Sequence, residues 1–506
     1  MTRDRLDMRL WRPGVLAALV LAMLALPAGA QQNSARWKAW PSSRAPRPLP
    51  ARDVNFPPYE VRTLSNGLRV IAVAQHEQPA VTLRLIVRAG AAQDPPGKAG
   101  VATLTASLLD QGTTSRTSKQ IAEGIDYIGG ALGAGAGTDL SFINVVVMKD
   151  SFDFSMDLLS ELVRTPAFSE EELTRQRQQL LSAMQVSYRD PEYLAGAVID
   201  RLVYGFHPYG VPANGTPESL GGITRSDIVA FHQAWFAPNN AILAVVGDLT
   251  AQEAFAGAER AFAAWTRRDV PAPTFPDPPS PTRRVVLLDM PGAVQTEIRI
   301  GNVAIARKNP DYLALDLATR ILGGEGSNRL QRVLRSERGL TYGASVDLQA
   351  LKQAGGIVAD TDTRSQATGQ ALRLSVDEFW RLVRDPVDDW ELNNAKAYLT
   401  GNFPLTLETP NAIALQVLNT VFYDLDLKEL QTFRERVSSI TTDDIQRVAR
   451  SYLHPGRLSI VLVGDAATIA PQLKGVGFEQ YEQVSIDDFD LTAADFKRAR
   501  RQAPNQ

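Results

Sequence analysis

The chain of 506 residues contains no cysteine and only four histidines, His76, His207, His232 and His454. The first absence excludes disulfides, thiolate zinc sites, iron–sulfur clusters, thiol nucleophiles and an N-terminal lipoprotein anchor. The four histidines show no metal-ligand spacing and read as surface or turn-stabilising groups. An excess of one charge is missing too: 53 basic residues against 56 acidic ones give a net charge of −3. No sequence-wide basic field is available for polyanions, and nucleic acid is not an expected partner. Disorder is excluded by an apolar content of 44%. The apolar run at residues 15–26 is too short to span a bilayer comfortably.

That run belongs to an expected export signal. Arg3, Arg5, Arg9 and Arg12 precede it, and Ala28-Gly29-Ala30 supplies a small-residue cleavage pattern. The mature protein is expected to begin near Gln31, without a stable membrane anchor, and to be periplasmic in a Gram-negative source.

Residues 31–58, rich in Pro and Arg, read as an extended arm. A second Pro cluster at 269–283 reads as a linker, because proline lacks the amide donor that regular structure needs. Between and after them lie two halves, 59–268 and 284–480, followed by a polar tail at 481–506. The halves repeat one another. Ile223-Thr224-Arg225-Ser226-Asp227-Ile228 corresponds to Ile440-Thr441-Thr442-Asp443-Asp444-Ile445, Pro238 to Pro455, and Val246-Gly247-Asp248 to Val463-Gly464-Asp465, always 217 residues apart. Each block reads as a capped helix, a Pro-marked turn and an apolar strand. Residues 68–73 and 81–87 read as strands after an Asn66-Gly67 turn. Phe152, Met156, Leu159 and Val163 recur at helical spacing, as do Leu372, Val376 and Phe379. The pattern is α+β in both copies.

Residues 60–470 resemble the pitrilysin-type, inverted-motif zinc metallopeptidases, which include the mitochondrial processing peptidases, the core proteins of the bc1 complex and bacterial two-chain relatives. The resemblance rests on residues 64–70, the stretch from Gly100 to Thr113, His207-Pro208-Tyr209-Gly210, residues 321–330, and Leu334-Arg335-Ser336-Glu337-Arg338-Gly339-Leu340-Thr341-Tyr342. It implies two homologous domains, each a mostly antiparallel sheet covered by helices, together forming half of a clamshell.

Active members of that family carry H-x-x-E-H after a Gly-x-Ala helix start, with both His on zinc and the Glu polarising water. Here Thr103 and Ser107 stand at the His positions and Ala106 at the Glu position. Aligning Arg177 and Pro191 with the family places Ala183 at the third ligand. No zinc is therefore expected in this chain; the resemblance puts it in a homologous partner subunit. It also implies that Arg335 and Tyr342 reach a partner's zinc site and contact the carbonyl of a peptide substrate, where an oxyanion needs fixed donors. Outside this motif, a surface salt-bridge Arg and a strand aromatic would explain the same residues. Gly339 is expected to end the helix bearing Arg335 and turn the chain into a strand bearing Tyr342.

Two glycine-rich stretches complete the candidate substrate contacts. Gly323, Gly324 and Gly326 lack the spacing of a phosphate loop; they correspond to a substrate-guiding loop in the processing-peptidase relatives, or form a tight turn. Gly135 and Gly137 fall where active relatives expose an edge strand to which the peptide adds, or else belong to a flexible strand. The expected function is that of the non-zinc subunit of a two-chain metallopeptidase. A non-catalytic scaffold or peptide-binding protein like the bc1 core proteins is the rival, and an autonomous protease with displaced ligands a third reading.

Overall fold

The computed structural model describes residues 56–324 and 328–498. The expected signal peptide, the arm as far as residue 55, and Gly326 lie outside these residues.

The Asn66-Gly67 turn joins β1 (Tyr59–Thr63) to β2 (Arg69–Ala74). Asn66 Oδ1 accepts from the Leu68 amide at 3.1 Å, and Gly67 adopts φ +92°, where a Cβ would also sit 2.8 Å from that of Asn239. The hairpin starts a sheet completed by β3 (Ala80–Val87), β4 (Ala131–Ala136), β5 (Ser141–Met148) and β6 (Ala241–Gly247), in the order β1-β2-β6-β3-β5-β4. Only the β2–β6 pair is parallel.

The second sheet contains β7 (Arg284–Asp289), β8 (Gln295–Ala304), β9 (Ala344–Ala350), β10 (Gly355–Arg364), β11 (Ser459–Gly464) and β12 (Glu482–Ser485), ordered β12-β7-β11-β8-β10-β9. The five strands β7-β11-β8-β10-β9 repeat the order β2-β6-β3-β5-β4 of the first sheet, with β7 and β11 again parallel. The outer strand differs: β1 runs antiparallel to β2, whereas β12 runs parallel to β7. Part of the stretch read as a polar tail is thus strand, and Phe489, Leu491 and Phe496 beyond it are buried. Residues 269–283 carry no helix or strand.

The repeat extends to local chemistry. Thr224 and Thr441 form matching capping boxes with Asp227 and Asp444. The periodic segments are the helices Phe152–Arg164 and Thr368–Arg384.

Strands β6 and β11 are buried on both faces, which explains their unbroken apolar sequences. Leu243 and Val245 of β6 face the core of their own half, but Ile242, Ala244 and Val246 pack under Ile413, Val417 and Val421 of the helix Pro410–Phe422 from the second half. Reciprocally, the helix Pro191–Tyr204 of the first half lays Leu194 and Val198 over Val461 and Val463 of β11. Each half therefore lends one helix to the other's sheet. Burying each Val or Leu contributes about 1.5–3 kcal/mol, so the exchange ties the halves together.

Polar bonds reinforce this junction. Buried Tyr209 donates to Asp139 at 2.6 Å and accepts from the Gln353 amide at 3.1 Å, while Asp139 also accepts from the Lys352 amide at 2.9 Å. His207 and Gly210 shape this turn: His207 Nδ1 accepts from the Tyr209 amide at 3.1 Å, and a Cβ on Gly210 would lie 2.6 Å from the Gly205 carbonyl oxygen.

Candidate functional site

The helix Val101–Ser107 begins at Gly100, whose φ of +101° suits glycine. Asp94 caps its start, accepting from the amides of Gly100 at 2.6 Å and Ala102 at 2.7 Å. Burial pushes the Asp94 carboxyl up to about 7 against the opposing pull of these amides. Asp94 was not singled out from sequence; its signal was an acid just upstream of Gly-x-Ala.

On this helix Thr103 Oγ1 donates to the Ala213 carbonyl at 2.7 Å, and Ser107 Oγ to the Leu104 carbonyl at 3.0 Å. Ala106 is fully buried, and Ala183 is exposed on the helix Glu170–Ser187. Two neutral hydroxyls committed to backbone carbonyls and two methyl groups do not fit zinc, which takes imidazole, thiolate or carboxylate. Among the described residues no three His, Asp or Glu side chains gather as a metal cluster. The histidines are dispersed. Exposed His76 pairs with Asp248 at 2.5 Å, whereas buried His232 lies 2.9 Å from the Val163 carbonyl oxygen. The expectation of surface or turn positions therefore misses His232, whose buried ring stacks on Phe236.

Arg335 lies on a π-helical segment, Gln331–Glu337, and Gly339 follows with φ +58°. The Gly339 amide returns to the Arg335 carbonyl at 3.0 Å and the Leu340 amide to the Leu334 carbonyl at 2.8 Å, ending the helix. Tyr342 stands in the turn before β9 rather than in the strand itself. Thr341 and Thr361 hydroxyls both donate to the Gly343 carbonyl, at 2.6 and 2.9 Å, so the turn is fixed while the Tyr342 side chain remains exposed. The Arg335 guanidinium approaches the Tyr342 ring to 4.8 Å.

Tyr342 borders a cleft of about 520 Å3 that Gly323 and Gly324 also line; Arg335 is not among its lining residues. Both glycines answer to close backbone packing: a Cβ would meet the Val346 amide nitrogen at 2.5 Å from Gly323 and the Arg320 backbone at 2.7 Å from Gly324. Four carboxylates missed from sequence face the same cleft: Glu192 from the first half, and Glu297, Asp360 and Asp362 from the second. Buried Arg299 lies beside three of them, at 2.8 Å from Asp360, 3.2 Å from Glu297 and 4.0 Å from Glu192. Burial, reinforced by repulsion from the neighbouring acids and opposed by Arg299, pushes Glu297 up to about 7. The cleft thus gathers acidic groups, partly balanced by Arg299, beside an exposed phenol.

Gly135 lies on β4, an edge strand paired only with β5 among the described residues. A Cβ there would meet the Phe142 ring at 2.9 Å. Gly137 follows the strand, and its backbone is already engaged by Leu140 and Ala91.

Two duplicated α+β halves with this topology define a peptidase-like fold. Residues 69–213 match the profile described as insulinase (peptidase family M16), and residues 222–399 that described as peptidase M16 inactive domain. The chain belongs to peptidase family M16. It is 23% identical over 405 residues to zinc protease PqqE of Helicobacter pylori, covering 78% of this chain and 90% of that protein. A peptidase M16 inactive domain from Pseudomonas fluorescens aligns with a TM-score of 0.77 at 29% identity, covering 81% of this chain and 98% of that one. A protease from Helicobacter pylori shares the fold with a TM-score of 0.75 at 22% identity, covering 80% and 99%.

Proposed function

We propose that this chain is the non-zinc subunit of an exported two-chain metallopeptidase, periplasmic in a Gram-negative cell, in which a homologous partner bears the intact zinc motif. The observation that carries the reading is the asymmetry between two sites. At the positions corresponding to ligands and base, Thr103 and Ser107 give their hydroxyls to backbone carbonyls, Ala106 is enclosed and Ala183 presents only an exposed methyl group, whereas Tyr342 is held out to solvent beside Arg335.

Zinc in the partner supplies Lewis acidity and a water of lowered pKa. This chain supplies the permanently charged Arg335 and the Tyr342 phenol as donors for the negative charge that develops on a peptide carbonyl oxygen. It also supplies chamber wall around the acidic cleft, and the β4 edge offers backbone groups for peptide addition.

The test is reconstitution with a homologous exported chain carrying His-x-x-Glu-His. Neither the metal nor turnover should belong to this chain alone, and mixing should produce chelator-sensitive peptide cleavage. A purified single chain that cleaves peptides and loses that activity to chelator rejects the reading. The scaffold alternative draws on one observation, the contact of Arg335 with Tyr342 instead of with the cleft. It is favoured if the mixed complex turns over equally well without the Arg335 side chain.

A further inference from the structure

We infer that the first half carries a binding site for oxyanions of the phosphate class, in the cleft beside the C-terminal ends of the helices Phe152–Arg164 and Arg225–Trp235. This cleft, of about 450 Å3, is lined by Arg164, Arg225 and Arg268 together with Phe168, Phe236 and Trp265. The arginines bond to neutral groups. Arg225 donates to the carbonyls of Phe168 at 2.6 Å and Ala167 at 3.2 Å, Arg268 to the Phe236 carbonyl, and Arg164 to Ser160 Oγ at 3.5 Å. None of the three forms an ion pair among the described residues. Other arginines of this chain meet carboxylates, as Arg307 meets Glu429, Arg329 meets Glu391 and Arg299 meets Asp360, while Arg177, Arg201 and Arg283 also bond to backbone carbonyls but do not share a cleft with two further arginines among the described residues.

Carbonyl capping accounts for part of this arrangement but leaves its charge uncompensated. A helix C-terminus carries roughly half a negative elementary charge, so the two C-terminal ends offset only about one of the three guanidinium charges, and Arg225, the first residue of its helix, stands at the opposite, positive end. Each guanidinium has five N–H donors, and the carbonyl contacts leave several for a fork-like grip on an oxyanion. His232 also lines the cleft; burial first, and then the Arg268 charge, hold it neutral near neutral pH. The positive charge therefore rests on the arginines, beside buried aromatic walls that weaken dielectric screening.

Free phosphate or a phosphomonoester offers the required chemistry, as does an anionic lipid headgroup. The test uses the mature full-length chain. Titration calorimetry with inorganic phosphate, at ionic strength held constant with chloride, reads the soluble source. Co-sedimentation with phosphatidylglycerol vesicles, against phosphatidylcholine vesicles, reads the lipid source. Saturable binding in at least one arm is expected. Arg164→Gln should weaken it about tenfold, the effect of losing one charged contact. Gln233→Glu adds a carboxylate at the exposed lip without touching any arginine contact, and should weaken it similarly if Arg164→Gln disturbs folding. Absence of binding in both arms, or binding unchanged in the folded variants, overturns the inference and leaves the arginines as helix caps.

Discussion

The guanidinium of Arg335 rests 4.8 Å from the centre of the Tyr342 ring, although a helix end and the Gly339 turn separate the two residues. An exposed cation–π contact contributes about 0.5–1 kcal/mol, too little to hold the fold. Arg335→Ala should therefore change the urea unfolding free energy by no more than about 1 kcal/mol. In the complex with a zinc-bearing partner, turnover should fall about 10²–10³-fold, the scale for one oxyanion donor. Tyr342→Phe keeps the ring under Arg335 and removes the hydroxyl alone. A comparable fall in kcat with unchanged assembly assigns the donor role to the phenol; unaltered kinetics in both variants removes the catalytic contribution.

Metal analysis after dialysis should find no stoichiometric zinc on the isolated chain, since neutral hydroxyls at Thr103 and Ser107 and a methyl group at Ala183 stand where zinc needs imidazole or carboxylate. Installing Thr103→His, Ser107→His and Ala183→Glu should create zinc retention. Ala106 is left alone because its side chain is fully enclosed, where an unpaired Glu would be costly. Retention by the unaltered chain contradicts the prediction. Failure of the triple variant, if folded, means that Ala183 does not stand at the third ligand position.

Much of the fold was legible because local signals agree with it: the Asn66-Gly67 turn, the capping boxes at Thr224 and Thr441, and the helical spacing from Phe152 to Val163. The unbroken apolar run of β6, read from sequence only as an apolar strand, matches burial on both faces. It did not say that Pro410–Phe422 covers one of them, because either half could supply a helix and periodicity is blind to its destination. Likewise Arg299 gathers Glu192, Glu297 and Asp360 from separate elements, so no spacing in the chain betrays the acidic cleft. The polar composition after residue 480 obscured β12, since Phe489, Leu491 and Phe496 are too scattered to show a period.

The junction of the halves should depend on Tyr209. Tyr209→Phe deletes the hydroxyl that serves Asp139 and the Gln353 amide, leaving buried polar groups without that partner. A loss of about 1–3 kcal/mol is expected in urea unfolding. Because the two residues share one network, the double variant with Asp139→Asn should cost less than the sum of the single changes. Simple additivity, or a loss within experimental error for Tyr209→Phe, would show that the apolar helix exchange holds the halves without this bond.

His232 makes the fold sensitive to acid. Its ring is enclosed, and burial lowers its pKa from 6.5 to about 4, with the Arg268 charge acting in the same direction and the Val163 carbonyl opposing both. A histidine whose folded pKa is depressed favours the native state wherever it is neutral. Its contribution is therefore complete above about pH 6.5 and disappears as pH falls through 4, because the unfolded chain takes up the proton first. The shift corresponds to about 3 kcal/mol. Measured across that window, the unfolding free energy of His232→Gln should fall less steeply with acid than that of the original chain, since glutamine can still donate to Val163 but does not titrate. Glu297 acts in the opposite sense, its raised pKa withdrawing stability as pH rises towards 7, so the comparison is between the two proteins at each pH and not between two pH values of one. Parallel pH profiles for His232→Gln and the original chain would show that the imidazole is protonated, or free to leave its enclosure, in the folded state.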